Sequence, residues 1–121
     1  MQKKSTVDYG RELEQYVANK FIDIGYKKAR RSKGSGNRGE LGDIAGQDVA
    51  VVECKHYNKP NITIKESVWK KLKSEIPLHS NRFPIYALQN GSDMRLVCLE
   101  VDDFFRIFHG YLDVIHGMGI T

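Results

Sequence analysis

An acidic residue and an acid–base pair flank a turn near the middle of the chain. Asp43 starts the segment DIAG, and Glu53 and Lys55 end the apolar run that begins at Val49. Residues i and i+2 of a strand point to the same face, so Glu53 and Lys55 are expected side by side. An unpaired charge beside a buried core is costly. The two side chains therefore either pair only with each other or carry out chemistry.

A hairpin across the turn GQD would bring Asp43 and Glu53 together at one end. Two carboxylates without a positive partner repel each other unless a cation lies between them. Mg²⁺ takes oxygen ligands and keeps several waters, and the backbone carbonyl of Cys54 is a further candidate ligand. The ammonium of Lys55 would then stabilise attacking hydroxide or the charge of a phosphorane-like transition state. The alternative is a Glu53–Lys55 surface pair, which contributes little to stability.

Positive charge is concentrated in two segments. The net charge is +4, residues 27–38 hold six Lys or Arg and no acid, and residues 65–73 hold four lysines and one acid. Such clusters favour phosphate binding. The alternative is that they are solvated loop and helix faces.

The composition is that of an ordinary globular chain. With 121 residues, 40% hydrophobic and 28% charged, we expect one domain spanning residues 1–121. No apolar run is long enough to span a membrane, and the first residues lack the apolar stretch of a secretory signal, so we expect a cytoplasmic protein with no membrane partner. Cys54 and Cys98 show no metal-type spacing and are predicted to be buried free thiols.

The elements that must position these residues can be predicted from periodicity. A helix is predicted over residues 7–24, capped by Ser5 or Thr6 and ended by Gly25. A second helix is predicted from a cap at Asn61 or Thr63 to about residue 75. A short third helix is predicted after Asp102, and the segment after it, from Tyr111, is a candidate contact with a partner subunit. Strands are predicted in the segments GYKKARR, DIAG, VAVVECKHY, RFPIYALQN and MRLVCLEV.

The resulting order is helix, three strands, helix, two strands, helix. It predicts an α/β fold in which a small mixed β-sheet is flanked by helices.

An ordered set of motifs extends from the first helix to Lys55. It consists of Gly10, Glu14, Gly25, Tyr26, Arg30, the Gly-Ser-Gly of residues 34–36, Gly42, Asp43 and the Glu-Cys-Lys of residues 53–55. In this set the chain resembles the PD-(D/E)XK nucleases, and within them the archaeal-type Holliday junction resolvases and their phage relatives. The resemblance covers residues 9–57 well and the rest in outline. Gly42 stands where that family usually has proline, a position that shapes the turn.

The resemblance implies a role for each matched residue. Asp43 and Glu53 would be metal ligands, Lys55 the catalytic lysine, and Glu14 a further ligand or a residue that holds water. Glu12 lies on the same helix, but Glu14 fits better by its distance from Gly10 and Gly25. Ser35 would touch the scissile strand. The residues expected to bind backbone phosphates are Arg30, Arg31, Lys33 and Arg38.

The resemblance also implies an activity and partners. A restriction-endonuclease-like core would act as a Mg²⁺-dependent endonuclease, with Mn²⁺ able to substitute, that resolves four-way DNA junctions by paired symmetric nicks in recombination and repair. Such enzymes are homodimers, and two-fold symmetry suits a junction. The small size suits a virus or phage. The alternatives are another endonuclease or nickase of this superfamily that acts on duplex or branched DNA, and a DNA-binding module without activity.

Overall fold

Helices and strands follow one another in the order that the sequence predicts. The structure is a computed structural model, and it describes residues 4–33 and 40–117. Within these ranges the elements are α1 (Thr6–Asp23), β1 (Arg30–Arg31), β2 (Ile44–Ala45), β3 (Ala50–His56), α2 (Glu66–Ser74), β4 (Phe83–Gln89), β5 (Arg95–Cys98) and α3 (Val101–Gly117).

The principal sheet is small and mixed. β3 and β4 are parallel, from Ala50 opposite Phe83 to His56 opposite Gln89, and β5 pairs antiparallel with the other edge of β4. Because side chains alternate along a strand, the buried run of residues 50–52 supplies two layers. Val52 packs in the cluster that holds Ala18 of α1, and Val51 packs in the cluster that holds Leu72 of α2. The α/β fold with a small mixed sheet and three helices is therefore as predicted.

The ends of α1 agree with the sequence. Ser5 is the N-cap: its Oγ accepts the N–H of Asp8 at 3.2 Å, and the Asp8 carboxylate accepts the N–H of Ser5 at 3.1 Å. A cap of this kind stabilises a helix by about 1 kcal/mol. Gly25, just beyond the helix, has φ of +116°, a conformation that favours glycine. These signals fix where α1 begins and ends.

The predicted hairpin across residues 46–48 is not a regular one. Among the described strands, β2 pairs with β1 rather than with β3. The buried side chain of Gln47 occupies the turn: its Nε2 donates to the carbonyls of Ile44 and Ala50, and its Oε1 accepts the N–H groups of Val49 and Ala50. A side chain thus binds the peptide groups that a tight hairpin would have paired with each other.

The second helix begins later than predicted. It starts at Glu66 with Lys65 at its N-cap, and neither Asn61 nor Thr63 caps it. The preceding segment is held in an irregular conformation by bonds to other parts of the chain. The Nδ2 of Asn90 donates to the Pro60 carbonyl at 2.9 Å, and the Tyr57 hydroxyl donates to the Thr63 carbonyl at 2.6 Å.

The third helix is longer than predicted and includes the segment that the sequence left unassigned. α3 begins at Val101, so Asp102 lies in its first turn, where an acid is favoured by the helix dipole. The helix continues through Tyr111 to Gly117. No helix in residues 4–33 and 40–117 is long and apolar enough to cross a membrane.

Candidate active site

Backbone hydrogen bonds fix Asp43 beside the edge of β3 that faces away from β4. Its N–H donates to the Val52 carbonyl at 2.7 Å, and its own carbonyl accepts the N–H of Ser32 at 2.9 Å. Its Oδ2 accepts the N–H of Cys54 at 2.7 Å. These bonds hold both the backbone and the carboxylate of Asp43 against β3, although the two segments form no regular hairpin.

Gly42 allows this close approach. It has φ of +68°, and a Cβ built on it would lie 2.5 Å from the Val52 carbonyl oxygen and 2.9 Å from the Val52 nitrogen. A side chain would therefore push the loop away from β3. Proline is fixed near φ −65° and cannot adopt this conformation. The glycine is thus required by the way Asp43 is held.

Glu53 and Lys55 lie on the same face of β3, as predicted. Val51 packs towards α2, and the period of two puts Glu53 and Lys55 on that face as well. Both line a narrow cleft of about 160 Å³ between β3 and α2. The side chains are neighbours, with Glu53 half-buried and Lys55 exposed.

A larger cleft brings the three predicted carboxylates together. Glu14 of α1, Asp43 and Glu53 all line a cavity of about 730 Å³ that runs along the edge of β3 between α1 and α2. Glu53 lines both clefts, so Lys55 reaches the edge of the same site from the α2 side.

The environment raises the pKa of both central carboxyls. Burial is the main cause for Glu53, whose pKa rises to about 7, and the charges of Asp43 and Glu75 add to it. Burial also raises the pKa of Asp43, the N–H of Cys54 opposes the rise, and the charges of Glu14 and Glu75 reinforce it. A partly buried carboxylate whose charge is further destabilised by neighbouring carboxylates is a favourable place for a cation.

The structure shows which of the two glutamates of α1, Glu12 or Glu14, belongs to the cleft. Glu14 lines the large cleft, and its Oε1 accepts from Nε of Arg31 at 3.1 Å. Glu12 points to solvent, where its carboxylate lies 2.8 Å from the Lys4 ammonium, and each side chain is more than half exposed. Glu14 therefore belongs to the cleft and Glu12 does not.

Two residues at the C-terminal end of α2, Lys71 in its last turn and Glu75 just after it, belong to the site and were not singled out individually from the sequence. Lys71 and Glu75 line both clefts. The Lys71 charge opposes the rise in the Glu53 pKa, and its influence is larger than that of Lys55. The lysine-rich composition of residues 65–73 was the signal for Lys71. Glu75 had no signal, because only the parallel β3–α2–β4 arrangement brings the end of α2 beside Glu53.

Of the predicted phosphate-binding residues, Arg31 and Lys33 line the large cleft. Arg30 forms an ion pair with Glu40, and the other carboxylate oxygen of Glu40 accepts the Lys33 N–H at 2.8 Å. Ser35 and Arg38 lie outside the described residues.

The donor atoms fit a hydrated divalent cation better than a dedicated metal cage. In the described part of the chain, no three His, Cys, Asp or Glu side chains lie close enough to hold an ion together. Mg²⁺ is commonly bound by one or two carboxylates and several waters. The N–H and C=O of one strand residue point to the same side, so the Cys54 carbonyl is expected on the Asp43 side of β3, as a further oxygen donor. Glu14, which is held by Arg31, lines the same cleft.

The Cys54 thiol plays no part in this chemistry. Its side chain packs with the core on the α1 side, and burial raises its pKa well above the ordinary range. The thiol therefore stays protonated and is not a nucleophile.

Comparison with known proteins leaves the family a matter of resemblance. No protein-family model, no curated protein and no solved structure matches the chain.

Proposed function

We propose that the chain is a Mg²⁺-dependent DNA endonuclease of the PD-(D/E)XK type, with Asp43 and Glu53 as its metal-binding carboxylates. One observation carries the proposal. Two partly buried carboxyls with raised pKa values share a cleft that is bordered by lysines on one side and by arginine and lysine on the other. A structural ion pair would place a cation next to each carboxylate and would lower its pKa instead.

Stabilisation of developing charge and binding of the strand are two needs of phosphodiester hydrolysis that the chain's own groups can meet. The ammonium groups of Lys55 and Lys71 border Glu53, where they can stabilise negative charge that develops on a phosphate. A Mg²⁺ ion, when bound, supplies Lewis-acid stabilisation of that charge. The Glu14 carboxylate holds the Arg31 guanidinium in the cleft, where it can contact a phosphate of the bound strand.

Nucleic acid is the substrate class that the charges favour. Arg31, Lys33 and Lys71 line the large cleft, where they can contact phosphates of a DNA strand beside the acids that would hold Mg²⁺. The cleft offers phosphate contacts, which position a strand without reading its sequence. The choice of the four-way junction, resolved by paired nicks, rests on the motif order from Gly10 to Lys55. The second candidate, nicking of duplex or other branched DNA, uses the same site and differs only in the substrate.

A cleavage assay with two substrates tests the proposal. The purified chain would be incubated with a labelled immobile four-way junction and with a linear duplex of matched sequence, each with Mg²⁺ and with EDTA. We expect paired symmetric nicks in the junction alone and only with Mg²⁺. Equal cutting of both substrates would support nuclease activity but reject selectivity for the four-way junction. Junction binding without cutting in Mg²⁺ or Mn²⁺ would reject the enzyme in favour of a binding module.

A further inference from the structure

One side of α1 forms a wall of the large cleft. The residues of α1 that line the cleft are Val7, Gly10, Arg11 and Glu14. They recur at the spacing of three and four that puts helical residues on one face, and we call this set the cleft face of α1. Of its four members, the proposed function gives a role to Glu14 alone, so the other three require an explanation of their own.

Gly10 leaves a gap in the cleft face. It lies in the second turn of α1, where glycine is less stable than alanine because it loses more backbone freedom on folding. Its helical backbone conformation is open to any residue. A Cβ built on Gly10 meets no atom within 4 Å apart from its chain neighbours and the backbone of its own helix. The local structure therefore does not require glycine here, in contrast to Gly42, where the Val52 backbone leaves no room for a side chain.

The gap exposes the backbone of α1 to the cleft. Val7, one turn before Gly10, is 60% exposed, and the side chain of Arg11 is exposed as well. The surface is thus a bare stretch of helix bordered by an apolar side chain and a guanidinium. A DNA strand presents an apolar sugar between charged phosphates, so its backbone has the chemistry that such a surface binds.

We infer that one DNA strand lies against the cleft face of α1 and comes closest to the protein at Gly10, where its sugar–phosphate backbone contacts the bare helix. Glycine is the residue used where a protein backbone must approach a ligand closely, and its cost in helix stability is offset by that contact. The inference rests on the proposed nuclease function. It adds that the α1 wall binds the strand, together with the cations already named.

Arg11 is assigned to a phosphate of the same strand. Within residues 4–33 and 40–117 it forms neither an ion pair nor a hydrogen bond. Its charge lowers the pKa of Asp8, but the Asp8 carboxylate is already bound to Ser5 in the helix cap. Arg11 is therefore available for a phosphate on the wall where the strand would pass Gly10.

Thermal stability and DNA affinity of Gly10 variants, measured side by side, test the close approach. Gly10→Ala and Gly10→Gln place a small and a larger uncharged side chain on the cleft face. Both should raise the thermal midpoint by a few degrees, because both residues are better helix formers than glycine. The dissociation constant for a labelled immobile four-way junction, measured in EDTA, should nevertheless rise about fivefold for alanine and about tenfold or more for glutamine, because the side chain occupies space that the strand needs.

The chain offers a matched control for each substitution. Gly110 is also helical and surrounded by open space, but it belongs to α3 and lies outside both clefts. Gly110→Ala and Gly110→Gln should gain the same stability and bind the junction as the parent does. Arg11→Gln should reduce the salt dependence of log K by about 0.9, the value of one phosphate contact, and Arg106→Gln, at an exposed arginine of α3, should not.

The outcomes separate this inference from the proposed function. If the parent cuts the junction with Mg²⁺ and Gly10→Gln binds it as tightly as the parent, the close approach at Gly10 is wrong and the nuclease stands. A lower thermal midpoint for Gly10→Ala would make the glycine a structural requirement and would also overturn the inference. An unchanged salt dependence in Arg11→Gln would exclude Arg11 from the contact. A parent that binds no DNA would contradict the proposed function and this inference together.

Discussion

The Oδ2 of Asp43 accepts the backbone N–H of Cys54, the residue between Glu53 and Lys55, at 2.7 Å. This bond joins the two parts of the acidic motif across eleven residues of sequence. It gives Asp43 a structural role in addition to its proposed role in metal binding, so the two roles must be separated by the choice of substitution.

Asp43→Ala should destabilise the chain, and Asp43→Asn should not. Alanine leaves the partly buried Cys54 N–H without its acceptor, at a cost of about 1–3 kcal/mol in the free energy of unfolding. The asparagine Oδ1 can accept the same bond. Urea denaturation of the two variants and the parent measures the difference. Equal stability of the two variants would show that the bond contributes nothing.

Gly42→Ala should lower the free energy of unfolding by about 1–3 kcal/mol, because alanine at φ of +68° is strained and its Cβ would clash with the Val52 backbone. Urea denaturation again measures this. Gly110→Ala is the control: that glycine is helical and has open space around it, so alanine should stabilise the chain by up to about 1 kcal/mol. A neutral Gly42→Ala would contradict the described approach of the loop to β3.

The metal-free chain should lose stability as the pH rises from about 4.5 to about 7. The pKa of Glu53 is about 7 in the folded chain against an ordinary value of 4.5, so the folded state binds this proton more tightly than the unfolded state. The stabilisation that the Glu53 proton provides is complete below the ordinary pKa of 4.5 and is lost above the folded-state pKa of about 7. Allowing for solvent screening of this half-buried group, the change is on the order of 1–3 kcal/mol.

Denaturation midpoints measured with a chelator across this pH range test the Glu53 assignment. Glu53→Gln should flatten the profile, while Glu66→Gln, a substitution at an exposed acid of α2, should leave it unchanged. Mg²⁺ should restore stability at the upper end of the range by binding the ionised pair. If the midpoint fell with pH equally in the parent and in Glu53→Gln, Glu53 would not be the source of the pH dependence.

Glu14→Gln should weaken Mg²⁺-dependent cleavage, and Glu12→Gln should not. The two variants lose the same charge from the same helix, but only Glu14 lines the cleft and holds Arg31. We expect the rate for Glu14→Gln to fall by about tenfold or more, by analogy with the loss of outer ligand partners in metal sites. Single-turnover rates on one DNA substrate provide the comparison. Equal rates for both variants would exclude Glu14 from the reaction.

Lys55 and Lys71 should differ in what they contribute. Lys55→Gln should reduce the cleavage rate on the order of 10²–10³-fold with little change in DNA affinity, because its charge is used in the transition state. Lys71→Gln should mainly weaken binding and reduce the salt dependence of log K by about 0.9, the value of one phosphate contact. Binding titrations at several salt concentrations, with rates measured in parallel, separate the two. The reverse pattern would make Lys71 the catalytic lysine.

Sequence signals predicted the features that depend only on residues close together in the chain. Ser5 and Gly25 marked the ends of α1, and the run of residues 50–52 marked the buried strand. The same-face relation of Glu53 and Lys55 follows from strand periodicity alone, so it too was accessible before the structure.

Features that depend on contacts between residues far apart in the sequence could not be predicted in this way. The bonds of the Gln47 side chain replace the expected hairpin, and the bond from Asn90 to the Pro60 carbonyl belongs to the contacts that delay α2. Glu75 joins the site only because α2 packs across β3. The length of α3 was missed because its apolar spacing continues past Tyr111 although no residue of the helix is buried among the residues that the structure describes.

Cleavage by Asp43→Asn is the most direct test of the central claim. Its DNA binding and its Mg²⁺-dependent cleavage of the four-way junction would be measured beside the parent and beside Asp48→Asn, a substitution at an exposed aspartate outside both clefts. The account predicts that Asp43→Asn binds the junction as the parent does and no longer cuts it, while Asp48→Asn does both. Cleavage by Asp43→Asn at the parent's rate would contradict the assignment of this carboxylate pair as the metal-binding centre.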